Sequence, residues 1–165
     1  MMAKALLIVG AGQYGQVVRE VAMASGRFER IAFLDDNAEQ AVGKIDDLRD
    51  FVGEFRQAII AIGNAATRQR LSETFARHYE LATLIHPRAH VSPSATLGEG
   101  CCVEAMAVVN TGATVGRGTF VCAGAVINHN ATVEGYCQID CGAVVAARAQ
   151  VPAGMKVQAG TVFSV

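Results

Sequence analysis

The stretch Val121–Asp140, "VCAGAVINHNATVEGYCQID", is short on charge, rich in Val, Ala and Gly, and carries a single imidazole at His129. Its large aliphatic residues, Val121, Ile127, Val133 and Ile139, recur every six positions. The same register runs outward in both directions, through Ile85, Val91, Leu97, Val103, Val109 and Val115 on one side and Val145, Val151, Val157 and Phe163 on the other. If about a third of sites in such a chain qualified by chance, an unbroken run of this length would arise with a probability on the order of 10⁻⁷, so the spacing is a real period. Four residues after each large position stands a small one, such as Ala89, Cys101, Ala113, Ala125, Ala131 or Ala149, with Met155 the exception.

One bulky and one small inward position per hexad is the demand of a parallel β-helix, whose two-residue strands send bulky side chains inside and whose tight corners admit only small ones. Three hexads close one triangular coil, and the run gives about four and a half coils. A β-sandwich, with its period of two, predicts no such register. Gly98, Asn110, Gly116 and Asn128, each directly after a large position, are the expected carriers of the left-handed backbone at the corners.

Charge divides the chain at the same place. Residues 1–84 hold 21 of the 29 charged residues, and residues 85–165 hold eight. We expect a domain boundary there, at "LIHPRAH". The first part, "ALLIVGAGQYGQVVREVAMAS", reads as a strand, a turn with Gly10, Gly12 and Gly15, and a helix from about Gln13. Glycines allow close approach of a ligand, and N–H groups opening a helix favour a phosphate. "RIAFLDDN" reads as a second strand ending in Asp35 and Asp36, with a carboxylate where a ribose hydroxyl could be bound. "DDLRDFV" reads as helical, "QAIIAIG" as a third strand, "NAATRQRLSETFARHY" as a helix capped by Asn64, and "LATLIH" as a fourth strand entering the coils. This Rossmann-like half-domain is about half a dinucleotide fold, which suits a mononucleotide or nucleotide-sugar better than NAD.

Composition bounds the partners. A net charge of −1 leaves no electrostatic footprint for nucleic acid or an anionic membrane. The apolar runs are far shorter than the ~20 residues of a membrane span, and with no leader pattern at the start the expected location is cytoplasmic. Five cysteines without a CxxC pair fit reduced thiols that fill small positions.

The series "LLIVGAGQYGQVV", "FLDDN", "AIGNAATRQRL", "LIHPRAHVSPSATLGEG" and "GAVINH", in that order along nearly the whole chain, resembles the NeuD/PglD family of bacterial sugar acyltransferases. That family includes sialic acid O-acetyltransferases and UDP-4-amino-sugar N-acetyltransferases. The resemblance implies a left-handed β-helix, a homotrimer, and acetyl-CoA bound as co-substrate between adjacent helices, with no metal. It implies that His129, in the segment matching "GAVINH", is the general base; as the third residue of the hexad that begins at Ile127 it is expected to point outward into a seam between subunits, with Asn130 beside it and Glu134 or a backbone carbonyl the candidates to replace the family's acid. The nucleotide-sugar then meets Gly10, Gly12, Gln13, Tyr14 and Gly15, the group Asp35, Asp36 and Asn37, and the third strand's exit at Gly63 and Asn64. Gln138, Gly142 and Ala147 are the donor-binding candidates. The chain departs from the family pattern at Tyr14 and Gln138, where His is usual, and at Asn130, where an acid is usual; its last hexads also end earlier than in most members. Those departures keep open a trimer that binds a nucleotide-sugar without transferring to it. Two other readings are a metal lyase resembling the gamma-type carbonic anhydrases, using His86, His90 and His129, and a Cys–His nucleophile built on Cys122 or Cys141.

Overall fold

The computed structural model describes residues 4–165. It opens with a four-stranded parallel sheet in the order β2-β1-β3-β4, made of Ala5–Val9 (β1), Arg30–Leu34 (β2), Gln57–Ile60 (β3) and Glu80–Leu81 (β4). Helix α1 (Gln13–Ala24) links β1 to β2, a 3₁₀ helix spans Ile45–Phe51, and helix α2 (Ala65–Phe75) follows β3. The near-continuous apolar strands "ALLIV" and "AII" are buried on both faces, as a parallel sheet covered on both sides requires. One side is packed by Leu48, Phe55, Leu71, Phe75 and Tyr79. On the other side Leu6, Ile8, Val18, Val21 and Ile59 share a core with Leu84, Cys102, Phe120 and Cys122, so the sheet is cemented directly to the coils.

Fourteen two-residue strands then wind into a left-handed parallel β-helix with three faces. The first face stacks Leu84–Ile85, Cys102–Val103, Phe120–Val121, Gln138–Ile139 and Lys156–Val157. The second stacks His90–Val91, Val108–Val109, Val126–Ile127, Val144–Val145 and Val162–Phe163. The third stacks Thr96–Leu97, Thr114–Val115, Thr132–Val133 and Gln150–Val151. From Val91 onward the second residue of each strand packs into the interior, and these residues with the small corner positions make a closed core: Val103, Ala107, Val109, Ala125, Ile127, Ala131, Val133, Ile139, Ala143 and Val145 have no exposed surface; Ile85, at the open end of the first coil, is exposed instead. At about 25 cal/mol per Å² of apolar surface removed from water, stacking of this core is what holds two-residue strands in place.

Three local expectations are corrected. The left-handed corner residue falls two positions later than Gly98, Asn110, Gly116 and Asn128: it is Gly100, Gly112, Gly118, Gly124, Gly142, Gly154 and Gly160, and the non-glycines Met106, Asn130, Tyr136 and Arg148. Gly98 and Gly116 are glycine for another reason, since a Cβ there would lie 2.5 Å from Arg117 N and 2.4 Å from Gly135 N in the next coil. The second strand stops at Leu34, because the Asp35 carboxylate accepts from the N–H groups of Asn37 (2.9 Å) and Ala38 (3.0 Å) and turns the chain. "LATLIH" is two strands: Leu81 ends the sheet against Ala58, the chain crosses at Ala82–Thr83 with Thr83 donating to Gly98 O (2.8 Å), and Leu84 begins the first coil. Among the described residues no helix is long and apolar enough to cross a membrane.

Candidate active site

The order β2-β1-β3-β4 reverses direction between β1 and β3, and the crevice beyond the carboxyl ends of those two strands is where open parallel sheets bind ligands. The turn after β1 carries Gly10 and Gly12, and the first turn of α1 carries Gln13 and Gly15; the loop after β3 carries Gly63 and Asn64. They adjoin, since a Cβ on Gly10, which has φ +101°, would lie 2.6 Å from Ile62 Cδ1. Gly15 is where α1 packs onto the turn, a Cβ there falling 2.1 Å from Gly10 O. Gly12 faces open space, and as N-cap it leaves the first N–H groups of α1 without a side-chain partner. Asn64 caps α2, its Oδ1 accepting from Thr67 N at 2.9 Å.

Asp35 braces this crevice. One oxygen accepts from Ala11 N in the glycine loop (2.8 Å), and the other from Asn37 and Ala38. The bond from Ala11, then that from Asn37, holds its carboxyl below the usual carboxylate range. Asp36 is engaged too, accepting from Ile45 N at 3.0 Å, and Asn37 is exposed at the rim. Because the folded value of Asp35 is depressed, its stabilisation is complete above the unfolded value near ~4 and is lost as pH falls through the folded one. Asp35→Asn keeps one acceptor and sets an amide N–H₂ against a backbone N–H. We expect it to cost about 1–2 kcal/mol at pH 7, and the gap in thermal midpoint between variant and wild type to close below about pH 4, read by calorimetry at both pH values.

Tyr14 does not reach into the crevice. Its ring packs on Phe120 (4.3 Å between centroids, tilted by 31°), and its hydroxyl is buried without a hydrogen-bond partner, with Cys102, Cys122 and Glu104 around it. Burial pushes the phenol well above its ordinary value. Glu104, 8% exposed, accepts from Ala123 N at 3.0 Å. Neither burial could be foreseen from a local pattern.

Between the β3 exit and the coils lies a cleft of about 320 Å³ lined by Gly63, Asn64, Arg68, Tyr136, Gln138 and Lys156 among others. It brings the predicted acceptor residues Gly63 and Asn64 beside the predicted donor residue Gln138. Lys156 in its wall is paired with Asp140 at 2.9 Å.

His129 stands elsewhere. It follows the strand Val126–Ile127, so it lies on the edge between the second and third faces, opposite the first face that carries the sheet. Its side chain is exposed, and its backbone is fixed by Asn128 Oδ1, which accepts from His129 N (2.7 Å) and from Asn110 Nδ2 in the preceding coil (3.3 Å). Asn130, in the left-handed corner conformation with φ 56°, places its amide 3.3 Å from His129 Nδ1. Glu134 is not a partner of the imidazole: the strand Thr132–Val133 carries the chain to the next edge, where Glu134 accepts from Ala153 N at 3.2 Å. Ala147, half-buried, lies one coil below His129 on the same edge, and Gly142, exposed with φ +65° and open space where a Cβ would be, lies on the edge between the first and second faces. Gln138, Gly142 and Ala147 therefore do not converge within one chain.

The other chemistries find no constellation. Cys122 and Cys141 occupy a different edge from His129, and burial drives the Cys122 thiol far up from its usual value, against nucleophilicity. Among the described residues no three His, Cys, Asp or Glu side chains are grouped to hold a metal ion.

A Rossmann-like half-domain joined to a left-handed parallel β-helix of hexapeptide repeats defines a hexapeptide-repeat protein. The PglD N-terminal domain family matches residues 5–75. The chain resembles UDP-N-acetylbacillosamine N-acetyltransferase of Bacillus subtilis (strain 168), with 34% identity over 113 residues that span 62% of this chain and 52% of that protein, about half its length. The acetyltransferase domain of PglB from Neisseria gonorrhoeae FA1090 superposes with a TM-score of 0.88 at 30% identity, covering 98% of this chain and 91% of that one. A histidine variant of perosamine N-acetyltransferase from Caulobacter crescentus, solved with CoA and GDP-perosamine, gives 0.84 at 26% identity over 97% and 88%. The chain belongs to the NeuD/PglD family of sugar acyltransferases.

Proposed function

We propose that the protein transfers an acetyl group from acetyl-CoA to the amine of a nucleotide-activated amino sugar, of the UDP-4-amino-4,6-dideoxy type, with residues 1–84 holding the nucleotide-sugar and residues 85–165 carrying the transfer. The observation that carries this reading is the end-to-end likeness to acetyltransferases, one solved with acetyl coenzyme A and another with CoA and GDP-perosamine, joined to an outward imidazole on a rigid edge.

His129 acts as general base. Its Nε2 takes the proton from the sugar amine as the nitrogen adds to the thioester carbonyl, and gives a proton to the departing thiolate as the carbon–sulfur bond breaks, so no covalent enzyme intermediate is needed. For Nε2 to be the free lone pair, Nδ1 must carry the hydrogen. The Asn130 amide supports this when turned with its oxygen toward the ring, an orientation it can adopt because amide oxygen and nitrogen are interchangeable in shape. An aspartate or glutamate would hold that tautomer without choice; Asn130 orients the ring and adds no charge. Gly142 and Ala147, small and open toward the outside, suit the passage of a pantetheine arm.

A single chain separates the acceptor cleft from His129 by the full depth of the prism, so the reaction needs the edge of a neighbouring copy. Self-association as a homotrimer is supported by the second face, whose outward residues Val108, Val126, Val144 and Val162 form an apolar stripe, with Val162 67% exposed. A cytoplasmic setting suits five cysteines that are all free, and neither nucleic acid nor membrane has a part in this reading.

The test is CoA release across UDP- and GDP-linked amino sugars, together with sedimentation. Turnover on at least one sugar by an assembly of three chain masses is expected, and Val126→Glu should yield monomers that bind nucleotide-sugar and release no CoA. Silence across the panel alongside measurable nucleotide-sugar binding would make the protein a binding module.

A further inference from the structure

Arg68, the fourth residue of α2, is 1% exposed. Its guanidinium donates to five backbone carbonyls: Nη1 to Ile62 O (2.7 Å) and Gly63 O (3.0 Å), Nε to Gly118 O (2.8 Å), and Nη2 to Tyr136 O (2.6 Å) and Cys137 O (3.3 Å). It also lies 4.1 Å from the centre of the Phe120 ring, which in turn carries Tyr14 of α1. Among the described residues no carboxylate pairs with it. A buried cation without a counter-ion is costly, and here its compensation comes from carbonyl dipoles and a ring face.

The five carbonyls come from two walls of one cleft. Ile62 and Gly63 form the exit of β3, whose side chain Ile62 Cδ1 touches the glycine loop at Gly10. Gly118, Tyr136 and Cys137 belong to two successive coils on one prism edge. The same cleft is lined by Gly63, Asn64, Tyr136 and Gln138, with Arg68 at its base. Only a planar fork with donors on three nitrogens can reach both walls at once; an ammonium of comparable reach cannot.

We propose that Arg68 is a positioning residue for the nucleotide-sugar: by clamping the β3 exit to the coil edge it sets the width of the acceptor cleft before the ligand arrives. This rests on the reading that the cleft and crevice take a nucleotide-sugar. It assigns to Arg68 an effect on acceptor affinity that is separable from folding: of the three donor candidates Gly142 and Ala147 lie on other edges, and Gln138, which shares the cleft, receives no hydrogen bond from the guanidinium.

The experiment uses the full chain, with GDP-perosamine and a UDP-linked 4-amino-4,6-dideoxy sugar as acceptor probes, and reads both calorimetric binding and steady-state KM. Arg68→Lys keeps the charge and loses the fork. It should weaken acceptor binding by roughly 10- to 100-fold while the KM for acetyl-CoA stays within about twofold. In Arg68→Ala, added methylguanidinium should restore acceptor affinity in part. An unchanged acceptor affinity in a folded variant, an equal rise in both KM values, or no rescue would overturn the proposal. If neither variant folds, hydrogen exchange of the wild type decides: residues 61–66 should be equally protected with and without the acceptor, and a segment that becomes protected only on binding refutes preorganisation. Wild-type turnover tests the transfer reaction, whereas the Arg68 comparison is read on binding, so the two can fail separately.

Discussion

His129→Ala should lower kcat on the acceptor sugar by about 10²- to 10⁴-fold, the usual contribution of a positioned general base. The thermal midpoint should hardly move, because the imidazole is exposed and its one side-chain contact is the Asn130 amide at 3.3 Å. Corner geometry should survive as well: the backbone bond from His129 N to Asn128 Oδ1 (2.7 Å) and that from Arg148 N to His129 O (3.2 Å) are independent of the side chain. The expected signature is thus a folded assembly of unchanged size that binds nucleotide-sugar with wild-type affinity and releases almost no CoA. Wild-type turnover in the variant would remove His129 from the chemistry.

Gly15→Ala should be the most damaging single methyl in the N-terminal unit. The added carbon would sit 2.1 Å from Gly10 O and 3.0 Å from Gly10 C, both backbone atoms of the turn that it packs upon. No rotamer relieves such a contact; α1 or the loop has to move. Overpacking costs typically about 1–3 kcal/mol and sometimes more, and with backbone on both sides we expect the upper end, a fall in midpoint of roughly 6–12 °C for a chain of this size. Because α1 also packs on the first face of the coils, the shift should reach the Tyr14–Phe120 contact. Gly12→Ala is the control, since nothing lies within 4 Å of a Cβ there. It should leave the midpoint within a degree or two and weaken nucleotide-sugar binding, as a methyl placed where a phosphate approaches would. Equal midpoints for the two variants would show that the turn is not packed as described.

The coils were legible in the sequence because burial at a fixed period leaves a periodic trace. Fourteen large positions repeat at one spacing, all but Ile85 packed inward, and a strand period of two or a helical period of 3.6 would not impose that register. The position of His129 on an outward edge follows from the same counting. What counting could not give was which of the two small positions in each corner takes the left-handed backbone: Gly98 and Gly116 are small because another coil presses on them, and Gly100 and Gly118 because of φ. The separation of His129 from the cleft depends on which face carries the sheet, a long-range fact. Arg68 is hidden for a related reason. In "TRQRL" it reads as one of several solvated helix cations, and only the approach of Gly118, Tyr136 and Cys137 from far along the chain makes it a buried clamp. Tyr14 reads as a member of the glycine loop, yet the second residue of a helix points back along it, and here that direction meets Phe120.

Each inward side chain meets its counterpart eighteen residues on, Val115 on Val133 and Val121 on Ile139. Contacts in such a stack run only between adjoining turns. A one-residue insertion inside a strand would throw its inward group out to solvent, whereas loss or duplication of a whole turn preserves every remaining pairing. The molecule's length is therefore adjustable in rungs of about 4.8 Å, and any groove running along its edge can be shortened or extended by that step without the rest of the protein having to be rebuilt.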